Sequence, residues 1–239
     1  MSHLWNLTKG VFQQFLPSLW RNLRYWNTKE ERLLAFVMET ATEGDATSVL
    51  AAVDTYNKEK EFTMDIGCDK RMKINEVLQK TTPKECLELG TYFGYSGVST
   101  ACQLSDGSRL ITVEKSDKTA SIAEQFFKFA GVKQVTMVVG DSSAVIPSLR
   151  SKYSVEKLDY VFIDHWKTRY LPDLKLLEEN QLLRKGTVII ADNVLFPGSP
   201  EYLKYVESSS KYTTERFYCD MQAFNVQDMM TISVYKGDE

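Results

Sequence analysis

The feature that most constrains this chain is a strict alternation of short apolar runs with helical stretches. Strand-like runs fall at 85–89, 109–113, 134–139, 158–163 and 187–191, and helix-like stretches at about 95–104, 117–130, 142–150 and 170–180 separate them. Short runs that are apolar throughout belong in a parallel sheet, and the alternation puts helices on both of its faces. A further helix is expected at 200–208, and then the pattern changes. Two strand-like runs, 212–218 and 230–236, follow with no long helix between them, which predicts an antiparallel pair at the end of the sheet. Upstream, Thr28 and Glu31 have capping-box spacing at the head of a first helix. A second helix is expected at 48–60, an apolar loop at 62–67, and a third helix from about Lys70 to Thr81, stopped by Pro83. At 239 residues, one α/β domain spanning 27–239 is the economical reading, preceded by a distinct extension, 1–26.

The ends of the strands carry the chemistry. Tyr160-Val161-Phe162-Ile163 runs straight into Asp164-His165-Trp166-Lys167, and 187–191 runs into Asp192-Asn193. Open α/β sheets bind ligands outside the carboxyl ends of their strands, which is where these acids fall. Two carboxylates and an amide form an oxygen-only donor set that suits Mg²⁺. The plain alternative is that each acid only caps the helix after it. The first strand ends in Glu88-Leu89-Gly90-Thr91-Tyr92-Phe93-Gly94-Tyr95-Ser96, and the second in Glu114. Gly90 and Gly94 permit a sharp turn, and Glu114 stands where an acid can hold the hydroxyls of a ribose. A dinucleotide fingerprint needs small residues at 92 and 95, and both are tyrosine. An adenosine cofactor without phosphates fits better, which points to S-adenosylmethionine and disfavours an NAD-dependent dehydrogenase. Glu88 could then face the cofactor's ammonium or sulfonium.

Composition removes several classes. With 29 basic and 32 acidic residues the charge is nearly balanced, which excludes a dedicated nucleic-acid surface. The four cysteines have no CxxC pair and read as reduced thiols of a cytoplasmic protein. Only His3 and His165 are available to a nucleophilic triad, which makes that chemistry a poor fit. The extension 1–26 carries aromatic, apolar and basic residues but no acid before Glu30. It is too broken for a membrane span. Two readings stay open for it: an amphipathic helix at a membrane interface, or a helix packed on the protein or a partner.

From Thr28 onward the chain resembles the catechol O-methyltransferases. The matching stretches are Leu87-Glu88-Leu89-Gly90, Gly94-Tyr95-Ser96, Leu110-Ile111-Thr112-Val113-Glu114, Phe129-Ala130-Gly131-Val132-Lys133, Asp164-His165-Trp166-Lys167 and Arg169-Tyr170-Leu171-Pro172. Leu182-Leu183-Arg184-Lys185-Gly186-Thr187-Val188, Ala191-Asp192-Asn193-Val194 and Tyr235-Lys236-Gly237 continue the series. The resemblance implies a single Rossmann-like methyltransferase domain, with a mostly parallel seven-stranded sheet, a C-terminal antiparallel hairpin and helices on both faces. It implies methyl transfer from S-adenosylmethionine to one hydroxyl of a catechol, of catecholamine or catechol-estrogen type, with Mg²⁺. Asp164, Asp192 and Asn193 match the metal ligands, and Lys167 matches the general base. Glu114 matches the ribose-binding acid, and Glu88, Gly90, Tyr92, Ser96, Ser142, Asp164, His165 and Trp166 match positions around the cofactor. Met64, Trp166 and Pro197 match substrate walls, beside Lys167 and Asn193. Phe62 stands where the family has a tryptophan, Gln222 where it has a glutamate, and Arg71 where it has a glycine. An amide at 222 cannot ionise, which leaves open another vicinal-hydroxyl aromatic as substrate. A catalytically weak scaffold of the same fold is the remaining alternative. Members of the family can carry an N-terminal membrane anchor, and a monomer is expected.

Overall fold

The structure is a computed structural model that describes residues 17–22, 27–221 and 226–237. Most of the extension, and Gln222, therefore lie outside the described residues. The described part of the extension, 17–22, is helical and exposes Leu19 and Trp20. Among the described residues no helix is long and apolar enough to cross a membrane.

Helices α1 (Lys29–Thr40), α2 (Ala46–Glu59) and α3 (Gly67–Thr81) precede the sheet. Both bonds of the Thr28/Glu31 capping box form at the head of α1. The sheet has seven strands in the order β3-β2-β1-β4-β5-β7-β6. They are β1 (Glu85–Leu89), β2 (Arg109–Glu114), β3 (Val135–Val139), β4 (Leu158–Ile163), β5 (Leu183–Ala191), β6 (Tyr212–Met221) and β7 (Val226–Tyr235). The first five are parallel, and β7 runs antiparallel between β5 and β6. This is the expected α/β architecture with its C-terminal antiparallel pair.

Alternation along the strands divides the core into two layers. Cys86, Leu110, Tyr160, Phe162, Val188 and Ile190 face one side, against α1, α2, α3 and the helices α4 (Tyr95–Gln103) and α5 (Asp117–Ala130). Leu87, Leu89, Ile111, Val113, Val161, Ile163, Ile189 and Ala191 face the other, against α6 (Leu149–Tyr153), α7 (Tyr170–Glu179) and α8 (Pro200–Ser208).

Three elements differ from their sequence expectation for identifiable reasons. The stretch 142–150 is not one helix. Pro147 lacks an amide N–H, and a 3₁₀ turn, Ile146–Ser148, separates Ser142–Val145 from α6. Strand β5 begins at Leu183 rather than 187, because the pairing with β4 absorbs a register shift around the polar Arg184-Lys185-Gly186. Strand β7 begins at Val226, four residues before the apolar run at 230, because its polar Asp228 is fully buried.

Candidate active site

Register brings the strand ends into one line. Leu89 pairs with both Val113 and Ile163, and Ile163 pairs with Ala191. The next residues, Gly90, Glu114, Asp164 and Asp192, therefore emerge side by side. The chain runs outward from β1 to β2 and β3, then returns to place β4 on the other flank of β1. The β1–β4 boundary is thus the topological switch point, where such sheets open a ligand crevice. A cavity of about 360 Å³ lies there, and Gly90, Tyr92, Glu114, Ser142, Asp164, His165 and Trp166 are among its lining residues.

Gly90 makes this crevice possible. Its φ is +99°, and a Cβ there would stand 2.5 Å from the backbone oxygen of Asp164. No side chain fits between the two strand exits. After the turn, Tyr92 also has a positive φ, +51°. Its N–H donates to Glu114 at 3.0 Å, and Ser116 N–H donates to the other Glu114 oxygen at 3.0 Å. Two backbone donors thereby fix the carboxylate at the cavity wall, with lone pairs left for a diol. Tyr95 points the other way, into the core, where its hydroxyl donates to Asp54.

Glu88 and Ser96 do not line the cavity. Glu88 is buried behind the turn, accepting from Ser96 and Thr112, each at 2.5 Å. Burial pushes its carboxyl up to about 7, against the pull of those two hydroxyls. His165 lines the cavity and is held by Asp173 through Nε2 at 2.7 Å. Ser142 and Arg169 also donate to Asp173. Burial opposes the Asp173 charge, yet these partners hold its carboxyl below the ordinary value. His165 Nδ1 is buried with no protein hydrogen-bond partner, a polar atom whose burial is otherwise uncompensated.

Beside the cavity, at the ends of β4 and β5, oxygens converge on a cation. Lys167 Nζ donates to Asp164 Oδ1 at 2.9 Å, Asn193 Oδ1 at 3.0 Å and the Asp192 carbonyl at 3.3 Å. It also donates to the Tyr170 hydroxyl, which donates in turn to the Asp192 carbonyl at 2.9 Å. Among the described residues no cluster of three His, Cys, Asp or Glu side chains forms a metal site. The converging oxygens are the Asp164 carboxylate, the Asn193 amide and the Asp192 main-chain carbonyl, while the Asp192 carboxylate, at the same strand end, faces Lys70 at 2.6 Å. With that carboxylate they make the hard, incomplete oxygen set of an ion that keeps water and substrate as its other ligands. The ammonium already seated between Asp164 and Asn193 shows that these oxygens accept positive charge, so the residues fit Mg²⁺.

The remaining candidates differ in how far they are exposed. Trp166 is 75% exposed and Met64 52% exposed. Pro197 is also exposed, in the turn Val194–Gly198. Phe62 is half-buried in the wall of a larger cleft of about 960 Å³, which Lys70 also borders. Lys70, Asp228, Tyr170 and Asp173 are functional candidates that sequence reasoning missed. For Lys70 a signal existed: it sits on the same helical stripe as Ile66, Ile74 and Leu78. A lysine on a buried stripe requires a buried anion.

The fold and the crevice together define an S-adenosylmethionine-dependent methyltransferase of the α/β class. Residues 38–235 match the O-methyltransferase family. The bovine protein named catechol O-methyltransferase is 44% identical over 228 residues, covering 95% of this chain and 84% of that one. The mouse protein of that name is 43% identical over 239 residues, covering 99% and 90%. A solved O-methyltransferase from Streptomyces achromogenes shares the fold, with a TM-score of 0.69 at 21% identity, covering 88% of this chain and 100% of that one. The chain belongs to the catechol O-methyltransferase family.

Proposed function

We propose that this enzyme moves the methyl group of S-adenosylmethionine to one hydroxyl of a catechol, with Mg²⁺ held by Asp164, Asp192 and Asn193. The observation that carries the reading is the convergence of Asp164 Oδ1 and Asn193 Oδ1 on one cationic nitrogen, 2.9 and 3.0 Å away, next to the cofactor-sized cavity. The likeness to the bovine and mouse proteins supports a catechol as the acceptor.

Held by Asp164, Asp192 and Asn193, Mg²⁺ would supply Lewis-acid activation of the attacking hydroxyl. Lys167 takes that hydroxyl's proton at Nζ. Its nitrogen is kept in place by Asp164, Tyr170 and Asn193. Glu114 binds the ribose hydroxyls of the methyl donor, and the Gly90 turn lets the donor lie against bare backbone. Trp166, Met64, Pro197 and Phe62 orient the aromatic ring and keep water from the reacting oxygen. Methyl transfer then needs in-line placement of oxygen, methyl and sulfur, which is a proximity effect.

The test is methyl transfer to a simple catechol with and without Mg²⁺, beside Asp192→Ala. Metal-dependent turnover that is lost in the variant is expected. Turnover that survives chelation, or survives Asp192→Ala, would overturn the metal assignment. Cofactor binding without turnover on any catechol would move the acceptor to another vicinal-hydroxyl aromatic.

A further inference from the structure

Behind the metal-ligand candidates lies a second, buried charge network that the reaction as derived does not use. Lys70 is 5% exposed, and its Nζ lies 2.6 Å from Asp192 Oδ1 and 2.7 Å from Asp228 Oδ2. Asp228 is fully buried, and its Oδ2 also accepts from Asn193 Nδ2 at 2.7 Å. Its Oδ1 accepts from Phe196 N–H at 2.9 Å, at the turn that carries Pro197. Burial opposes the Lys70 charge, yet Asp192 and Asp228 raise its ammonium above the ordinary value.

We infer that Lys70, acting with Asp228, is a positioning residue for the divalent-cation site. The inference rests on the proposed metal role of Asp192 and Asn193. Lys70 and Asn193 N–H both engage Asp192 Oδ1, and they fix the rotamer that leaves the other oxygen for the ion. Asp228 takes the Asn193 NH₂, which turns the amide oxygen toward Asp164. Asn193 takes this pose with φ +52°, a left-handed conformation that asparagine adopts more readily than most residues. One ammonium thus bridges two carboxylates that would otherwise repel each other. Without it, Asp192 and Asp228 move apart, and Asn193 follows Asp228. The link also runs outward, because Lys70 lies on the first turns of α3, directly after the 62–66 loop that carries Phe62 and Met64.

A purely electrostatic role for Lys70 has the opposite signature. Removing a nearby positive charge should tighten cation binding, whereas loss of positioning should weaken it. Mn²⁺ affinity of the full chain, read by electron paramagnetic resonance without substrate or cofactor, separates the two. Lys70→Met is expected to weaken Mn²⁺ binding about 10- to 100-fold. S-adenosylmethionine affinity, measured without metal, should stay within about twofold. Lys70→Arg keeps the charge but changes the donor geometry, and should lose several-fold in Mn²⁺ affinity. It also decides the matter if the methionine variant does not fold. Folded variants that bind Mn²⁺ as tightly as the wild type, or more tightly, overturn the inference. A wild type that binds no Mn²⁺ overturns the metal reading itself, and this positioning role falls with it.

Discussion

The cavity at the ends of β1, β2 and β4 and the oxygen cluster at the ends of β4 and β5 lie side by side, yet they are built in opposite ways. The cavity half is shaped by backbone. Gly90 gives way to the Asp164 carbonyl, and the N–H groups of Tyr92 and Ser116 orient Glu114. The cluster half is shaped by buried charge. Lys70 from α3 and Asp228 from β7 brace Asp192 and Asn193 at the end of β5. A backbone-built site is rigid because its donors cannot rotate away. A charge-built site is only as well ordered as the balance of its ions, since each buried partner left alone costs several kcal/mol. The first suits a cofactor with a fixed shape, and the second suits an ion whose remaining ligands arrive with substrate.

Gly90→Ala should break this division most severely, because Gly90 is where the halves touch. A methyl 2.5 Å from the Asp164 carbonyl, at φ +99°, forces β1 and β4 apart. Loss of measurable S-adenosylmethionine binding is expected, with a stability loss on the order of 3 kcal/mol or more by denaturant unfolding. Normal cofactor affinity in that variant would show that the close approach is not needed. Lys167→Met should sharpen the division by touching one half alone. A fall in kcat of about 10²- to 10⁴-fold is expected, with cofactor affinity by calorimetry unchanged. Turnover within a few-fold of wild type would remove Lys167 from the role of base. Glu114→Gln tests the other half. An amide must point its NH₂ at one of the two backbone donors, so cofactor affinity should fall about tenfold, with Mn²⁺ affinity unaffected. Parallel losses of both ligands would mean that the halves are one unit.

The same division decides what was legible in the sequence. The cavity half comes from the turn Gly90 to Tyr92 and from acids at strand ends, so periodicity and turn residues expose it. The acids at 164 and 192 were legible for the same reason. Asp228 was not, and Lys70 shows only as a lysine on a buried stripe, because the partner that gives each its meaning lies 158 residues away. Asp228 also hid the start of β7, since a polar residue in a strand reads as a break unless its buried partner is known. Pro147 was visible, and the periodicity around it still suggested one continuous helix. The sequence leaves Glu88 free to face the cofactor's positive groups, whereas in the fold Ser96 and Thr112 stand at its two oxygens.

That placement of Glu88 supports the most specific of these tests. Its carboxyl is pushed up to about 7 by burial, from an ordinary value of 4.5. Between those two pH values the folded chain holds a proton that the unfolded chain has lost. The stabilisation from Glu88 is therefore fully present below about pH 4.5, falls as pH rises, and is gone above about 7. The whole effect is on the order of 3 kcal/mol at most. Glu88→Gln keeps the shape and removes the titration, so its stability relative to wild type should improve as pH goes from 5 to 8. A flat difference across that range would mean that Glu88 is ionised in the fold. The cofactor provides an internal check. If its positive groups lie near enough to draw Glu88 into its charged form, binding at about pH 6 releases a proton. Calorimetry in buffers of different ionisation enthalpy would register it, and the glutamine variant should lose it. Equal proton release by the variant would place the titrating group elsewhere and leave Glu88 a structural partner of Ser96 and Thr112 alone.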